Sequence, residues 1–160
     1  MKKFVSFTLI LLIMSCKKDG IKNIGFVVDA SVDIKLINNQ GVDLLDTNID
    51  NTYNTSNIRL YYLQDGQVKQ YNGGSNQDYP KGYFIFLDSE NHNNIRIFLN
   101  HDDNEEYPIT YIKWNEFDTD TIKTHYKHSQ TIIALDSIWY NGMLCWTFNS
   151  NVRHILEISK

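Results

Sequence analysis

The sequence predicts an all-β protein, most simply a two-layer antiparallel β-sandwich, with a barrel as the alternative. Three observations carry that expectation. Apolar residues alternate with polar ones at a period of two, as at Ala30, Val32, Ile34 and Leu36 against Asp29, Ser31, Asp33 and Lys35, which is the pattern of a strand with one wet face. Asp65-Gly66 and Asn141-Gly142 separate such runs, and both pairs supply the positive φ that a two-residue hairpin turn demands. Beyond the first stretch of the chain, no window shows sustained helical periodicity.

That first stretch is an address rather than a fold. Lys2 and Lys3 precede an apolar run from Phe4 to Met14, broken only by Ser6 and Thr8. At about 1.5 Å of helical rise per residue, this run reaches roughly half of a ~30 Å hydrocarbon core, so residues 1–15 read as a secretory signal peptide to be removed. Ile13-Met14-Ser15-Cys16 resembles the lipobox of bacterial lipoproteins. The resemblance implies that Cys16 receives lipid, becomes the first mature residue and anchors the protein in the membrane. Residues 16–25 are then the lipidated Cys and a tether. Lys17-Lys18-Asp19 resembles the Lys-plus-acid export signal of Bacteroidetes lipoproteins, and the expected location is the cell envelope, at the outer membrane, periplasmic or surface-exposed.

Residues 26–160 are expected to form a single sandwich domain, immunoglobulin-like or transthyretin-like. Asn38-Asn39-Gln40-Gly41 ends the first strand as a turn, and Asp46 to Ser56, dense in Asn, Asp, Thr and Ser, reads as an irregular loop. Ile58 to Leu63 and Gln67 to Tyr71 form a hairpin, followed by a loop from Asn72 to Pro80. Tyr83 to Leu87 is apolar throughout, which points to a central strand buried on both faces. Ile95, Ile97 and Leu99 alternate with Asn94, Arg96 and Phe98; further strands are expected at Ile109 to Trp114, Thr121 to Tyr126, Thr131 to Tyr140, Met143 to Phe148 and Arg153 to Ile158. The Asn141-Gly142 turn places Tyr140 opposite Met143 and Trp139 opposite Leu144, with Leu135, Trp139, Leu144, Trp146 and Phe148 expected on the core face.

Composition narrows function by exclusion. The net charge is −4 over 160 residues, and loss of Lys2 and Lys3 takes it to about −6, so no basic nucleic-acid footprint is present. With Cys16 lipidated, Cys145 has no partner for an intramolecular disulfide and is expected to be a small buried residue. No serine lies in Gly-x-Ser-x-Gly, and no His-Glu-x-x-His, phosphate loop or dinucleotide fingerprint occurs. His125 and His128 would point oppositely on a strand, which disfavours a metal pair. Asn115, Asp118 and Asp120 offer alternate oxygen ligands of the kind that wrap Ca²⁺, but without the Gly and distal Glu of an EF-hand. No cofactor is expected, Ca²⁺ being the one candidate. Glu116 with Asp118 or Asp120 is the only carboxylate set to weigh as a glycosidase pair.

Ten tyrosines and many Asn residues are the unusual part of the composition. Tyr53, Tyr71 and Tyr79 lie in or beside the long loops, where rings that stack on sugars and amides that bond hydroxyls would make a ligand site. The lipobox together with Gln40 to Asp46, Ile58 to Tyr62, Asp78-Tyr79-Pro80, Tyr107 to Trp114 and Asp120-Thr121-Ile122 is similar to a group of small uncharacterised lipoproteins of Bacteroidetes. That resemblance implies an all-β envelope protein and carries no catalytic residue. Asp120-Thr121-Ile122 and Asp136-Ser137-Ile138 also resemble the short O-glycosylation sequon of that phylum. The expected function is a lipid-anchored, non-catalytic module that binds a glycan or another extracellular ligand. The alternative is a protein-interaction or structural subunit of an envelope complex, and a hydrolase is the third reading.

Overall fold

The computed structural model describes residues 25–73, 77–148 and 155–160. The signal segment, Cys16, most of the tether, Gly74 and Arg153 lie outside the described residues. In chain order the strands are β1 (Val27–Asp29), β2 (Ser31–Ile37), β3 (Arg59–Gln64), β4 (Gln67–Gln70), β5 (Tyr83–Leu87), β6 (Asn93–Phe98), β7 (Ile109–Lys113), β8 (Thr119–His128), β9 (Ile132–Tyr140), β10 (Met143–Thr147) and β11 (Ile155–Ser159), with one 3-10 turn at Thr55–Asn57.

Two sheets pack face to face, as the alternating pattern requires. The larger runs β1-β9-β8-β7-β3-β4, with β10 also on β9, and the smaller runs β11-β2-β6-β5. Both are mixed rather than purely antiparallel, because β1 pairs with β9 and β11 with β2 in parallel. β1 lies at the start of the expected domain, ahead of the first strand read from the sequence; its side chains are exposed, so no hydrophobic alternation marks it. Between the layers lie Ile34, Leu36, Ile95 and Ile97 from the small sheet, against Leu60, Ile112, Ile122, Leu135 and Ile138 from the large one. Each such buried aliphatic side chain stabilises the fold by about 1.5–3 kcal/mol.

Both two-residue hairpins form as the sequence demands, with positive φ at Asp65, Gly66, Asn141 and Gly142. Tyr140 faces Met143 and Trp139 faces Leu144, after which the register slips at Cys145. A second bulge, between His125 and Tyr126 on β8, leaves Asp136 of β9 outside the pairing. An extra residue flips the facing of everything beyond it. Leu135 therefore shares the core side with Ile138 and Tyr140, while Trp139 turns outward. There it packs edge-on against Tyr107, and Lys123 lies 4.7 Å over its ring. The expected core face of the last hairpin holds only in part: Leu135 is buried and Trp146 packs against the core, whereas Trp139 turns away and Leu144 and Phe148 are exposed, as is Cys145, for which the sequence predicts burial.

β5 is likewise an edge strand rather than a central one. Its unbroken apolar run does not mean burial on two faces. Tyr83 goes into the core, and Phe84 and Phe86 join a second, half-buried cluster on the outside of the small sheet. That cluster surrounds Arg96, whose guanidinium forks onto Asp33 at 2.6 and 2.7 Å and lies 5.4 Å from the Phe84 ring. The fork explains how Asp33, on the solvent side of β2, is only 3% exposed.

Candidate functional site

The loop that joins β4 to β5 positions two of the three candidate tyrosines. Its stems are tied by Tyr71 N to Leu60 O, Gly73 N to Pro80 O and Phe98 N to Gly82 O, each 2.9 Å. Two glycines make that tie possible. A Cβ on Gly73 would meet Gln77 Oε1 at 2.5 Å and the Pro80 backbone at 2.9 Å, and one on Gly82, at φ +77°, would meet the Tyr71 ring at 2.7 Å. The Tyr71 ring therefore lies directly on the chain at Gly82, packs on Tyr62 at 5.1 Å between centroids, and its hydroxyl donates to Gln77 Oε1 at 2.8 Å. Tyr62 in turn donates to Phe98 O at 2.8 Å, and burial pushes its phenol well above the usual range.

Tyr79 stacks on Phe84 with centroids 4.4 Å apart and leans on Phe98 at 5.7 Å, keeping 41% of its surface exposed. Tyr71 and Phe98 form a shared wall between two adjoining clefts. One, of about 350 Å³, is lined also by Ala30, Tyr62, Leu99 and His101. The other, of about 370 Å³, is bounded by Gln77, Asp78 and Tyr79. Each is of the size that takes a small ligand. Aromatic walls with an amide and a carboxylate at the rim suit an uncharged polyhydroxylated molecule, which offers flat C–H faces to rings and hydroxyls to acceptors.

Tyr53 is elsewhere. Its hydroxyl donates to Asp118 and its ring packs on Trp114 at 5.8 Å. Burial first, and the bond to Asp118 next, raise its phenol far above the ordinary value. Around it lies a charged cluster. Lys160 Nζ is 2.6 and 2.7 Å from the two Asp118 carboxylate oxygens and 2.6 Å from Asp120 Oδ2. Asp120, 5% exposed, also accepts from Trp114 Nε1, Tyr140 Oη and, at 2.7 Å, Asn141 Nδ2. Burial alone would raise the Asp120 carboxyl; the bonds from Asn141, Lys160, Tyr140 and Trp114 outweigh it and hold the group below its usual value.

This donor set does not fit Ca²⁺. The carboxylate oxygens that would coordinate it already accept from an ammonium and several neutral donors, and Asn115 Oδ1 accepts the Phe117 amide at 2.8 Å. Of the three acids, Glu116 stands exposed in a groove with Arg59 and Lys113, whereas Asp118 and Asp120 share Lys160. His125 turns to Asp136 at 3.0 Å and His128 to Asp103 at 3.6 Å. Of the two sequon-like sites, Thr121 is half-buried in β8 and Ser137 buried in β9.

Sequence reasoning passed over Phe84 and Phe98 as site residues. Their signal was an aromatic on the solvent-parity side of two neighbouring strands, at Phe98 beside Arg96 and at Phe84 opposite it. The chain is thus an all-β sandwich with aromatic-lined clefts beside the β4-β5 loop. Comparison with protein-family models, with curated proteins and with solved structures gives no match to this chain.

Proposed function

We propose that the protein is a lipid-anchored, non-catalytic binding module of the cell envelope that holds a neutral glycan between Tyr71 and Tyr79. The supporting observation is the pairing of an exposed Tyr79 ring, stacked on Phe84, with a Tyr71 ring fixed against Gly82 beside Gln77 and Asp78. A site held in its binding geometry by the loop stems loses little entropy when it takes ligand. Titration of neutral oligosaccharides by calorimetry tests the reading: Tyr79→Ala and Tyr71→Ala should each weaken binding at least tenfold, and Tyr53→Phe should not. Unchanged affinity in both Ala variants sinks it.

A second reading, an interaction subunit of an envelope complex, is favoured by β10. Among the described residues this strand pairs only with β9, and Met143 and Leu144 on it are 69% and 55% exposed. Unpaired apolar edges are templates for strand addition. A stoichiometric envelope partner lost on Leu144→Lys would support this reading, and a solitary monomer would count against it.

A further inference from the structure

Arg59 and Lys113 face each other across the β3-β7 ladder. Like charges placed directly opposite on neighbouring strands cost stability unless an anion lies between them. Among the described residues neither has a carboxylate in ion-pair reach, whereas Lys35, Lys69, Arg96, Lys127 and Lys160 each do. Lys123 is enclosed by the Tyr107 and Trp139 rings instead. The remaining cation, Lys81, donates to Ser56 O at 3.1 Å, and Arg59 Nη1 donates to the same oxygen at 2.7 Å. In a chain of net charge −4, three of the described cations without an acid, Arg59, Lys81 and Lys113, thus lie near one end of the β3-β7 ladder.

The space before them is concave. Arg59 and Lys113 line a groove of about 390 Å³ with Asn57, Tyr61, Asn115 and Glu116. The Tyr61 hydroxyl, the Lys113 ammonium and the Asn115 amide nitrogen have no protein partner among the described residues. We propose that this groove binds a carboxylate-bearing sugar, a hexuronate unit of an acidic glycan. Arg59 Nη1 also donates to Ile58 O at 2.8 Å, so the carboxylate lies between Lys113 and the Nε–Nη2 edge of Arg59, because a planar guanidinium fork matches a carboxylate. The sugar ring lies along Tyr61, and its hydroxyls meet Asn57, Asn115 and Glu116. Glu116 would repel a phosphate dianion more strongly than a singly charged carboxylate, and it accepts from hydroxyls. The site shares no residue with the Tyr71 and Tyr79 clefts, so either proposal can fail without the other.

The test is calorimetric titration of the full chain with trigalacturonate, its methyl-esterified trimer, inorganic phosphate and glycerol phosphate, the last standing for a lipid headgroup. Trigalacturonate should bind, with the ester at least tenfold weaker. Arg59→Gln and Lys113→Gln should each weaken trigalacturonate at least tenfold while still unfolding cooperatively, and Tyr79→Ala leaves it alone. Absence of trigalacturonate binding, equal affinity for the ester, tighter binding of either phosphate, or indifference to both charge variants each overturns the proposal.

Discussion

The loop carrying Tyr53 and the loop carrying Tyr79 put the same side chain to opposite uses. Tyr53 turns its hydroxyl inward to Asp118 and its ring onto Trp114, so ring and hydroxyl both have protein partners. Tyr79 lies flat on Phe84 with much of its other surface open. The difference lies in what each loop meets: a buried carboxylate cluster on one side, an apolar outer sheet on the other. A buried charge consumes every donor within reach, and an aromatic sheet consumes none. The first region should therefore govern stability and the second binding, and the two can be separated experimentally.

The largest expected effect is in the charged cluster. Asp120→Ala leaves Lys160 with Asp118 alone and strips the acceptor from Tyr140, Trp114 and Asn141, and breaking this buried network should cost about 3–5 kcal/mol in urea unfolding. The same group sets a pH dependence. A carboxyl held below its unfolded value of about 4 contributes stability that is complete above that pH and is lost as pH falls through the folded value. Thermal midpoints should accordingly drop below about pH 4, and Asp120→Asn, already destabilised, should show a flatter acid limb.

Next comes Gly82→Ala, which combines a positive φ of 77° with a 2.7 Å approach to Tyr71. It should cost about 1–3 kcal/mol and weaken glycan binding together with stability. Such a joint loss would show that the loop stems preorganise the site. Tyr53→Phe removes one hydrogen bond to a carboxylate and should cost about 1.5 kcal/mol with affinity intact. Smallest in stability is Tyr79→Ala, losing about 0.5–1.5 kcal/mol of ring stacking while binding falls at least tenfold. A Tyr79→Ala variant that unfolds early yet binds normally would reverse the assignment of the two regions.

The strands that alternate cleanly, β2 and β6, and both Gly-containing hairpins were legible in the chain because each depends on local chemistry. What escaped depended on partners distant in sequence. The outward turn of Trp139 follows from a bulge that needs β8 alongside β9. The edge position of β5 follows from which strand happens to pair with β6. Tyr53 and Tyr79 could not be told apart because Asp118, Lys160 and Phe84 approach them only in the fold. That Tyr71 and Tyr79 come to line one cleft was readable, since both belong to a single loop and its stem.

The parallel pairings of β1 with β9 and of β11 with β2 bear on time rather than stability. Asp33 meets Ile155 across roughly 120 residues of chain, a closure whose entropy must be spent before any contact rewards it. The small sheet cannot acquire its outer strand until almost the whole sequence is available. Refolding should be slow for the size of the protein, in the millisecond-to-second range of non-local β topologies. During that interval the row of backbone groups on β2 stands open, so the nascent chain is most exposed to misassociation at the strand that later becomes the best buried.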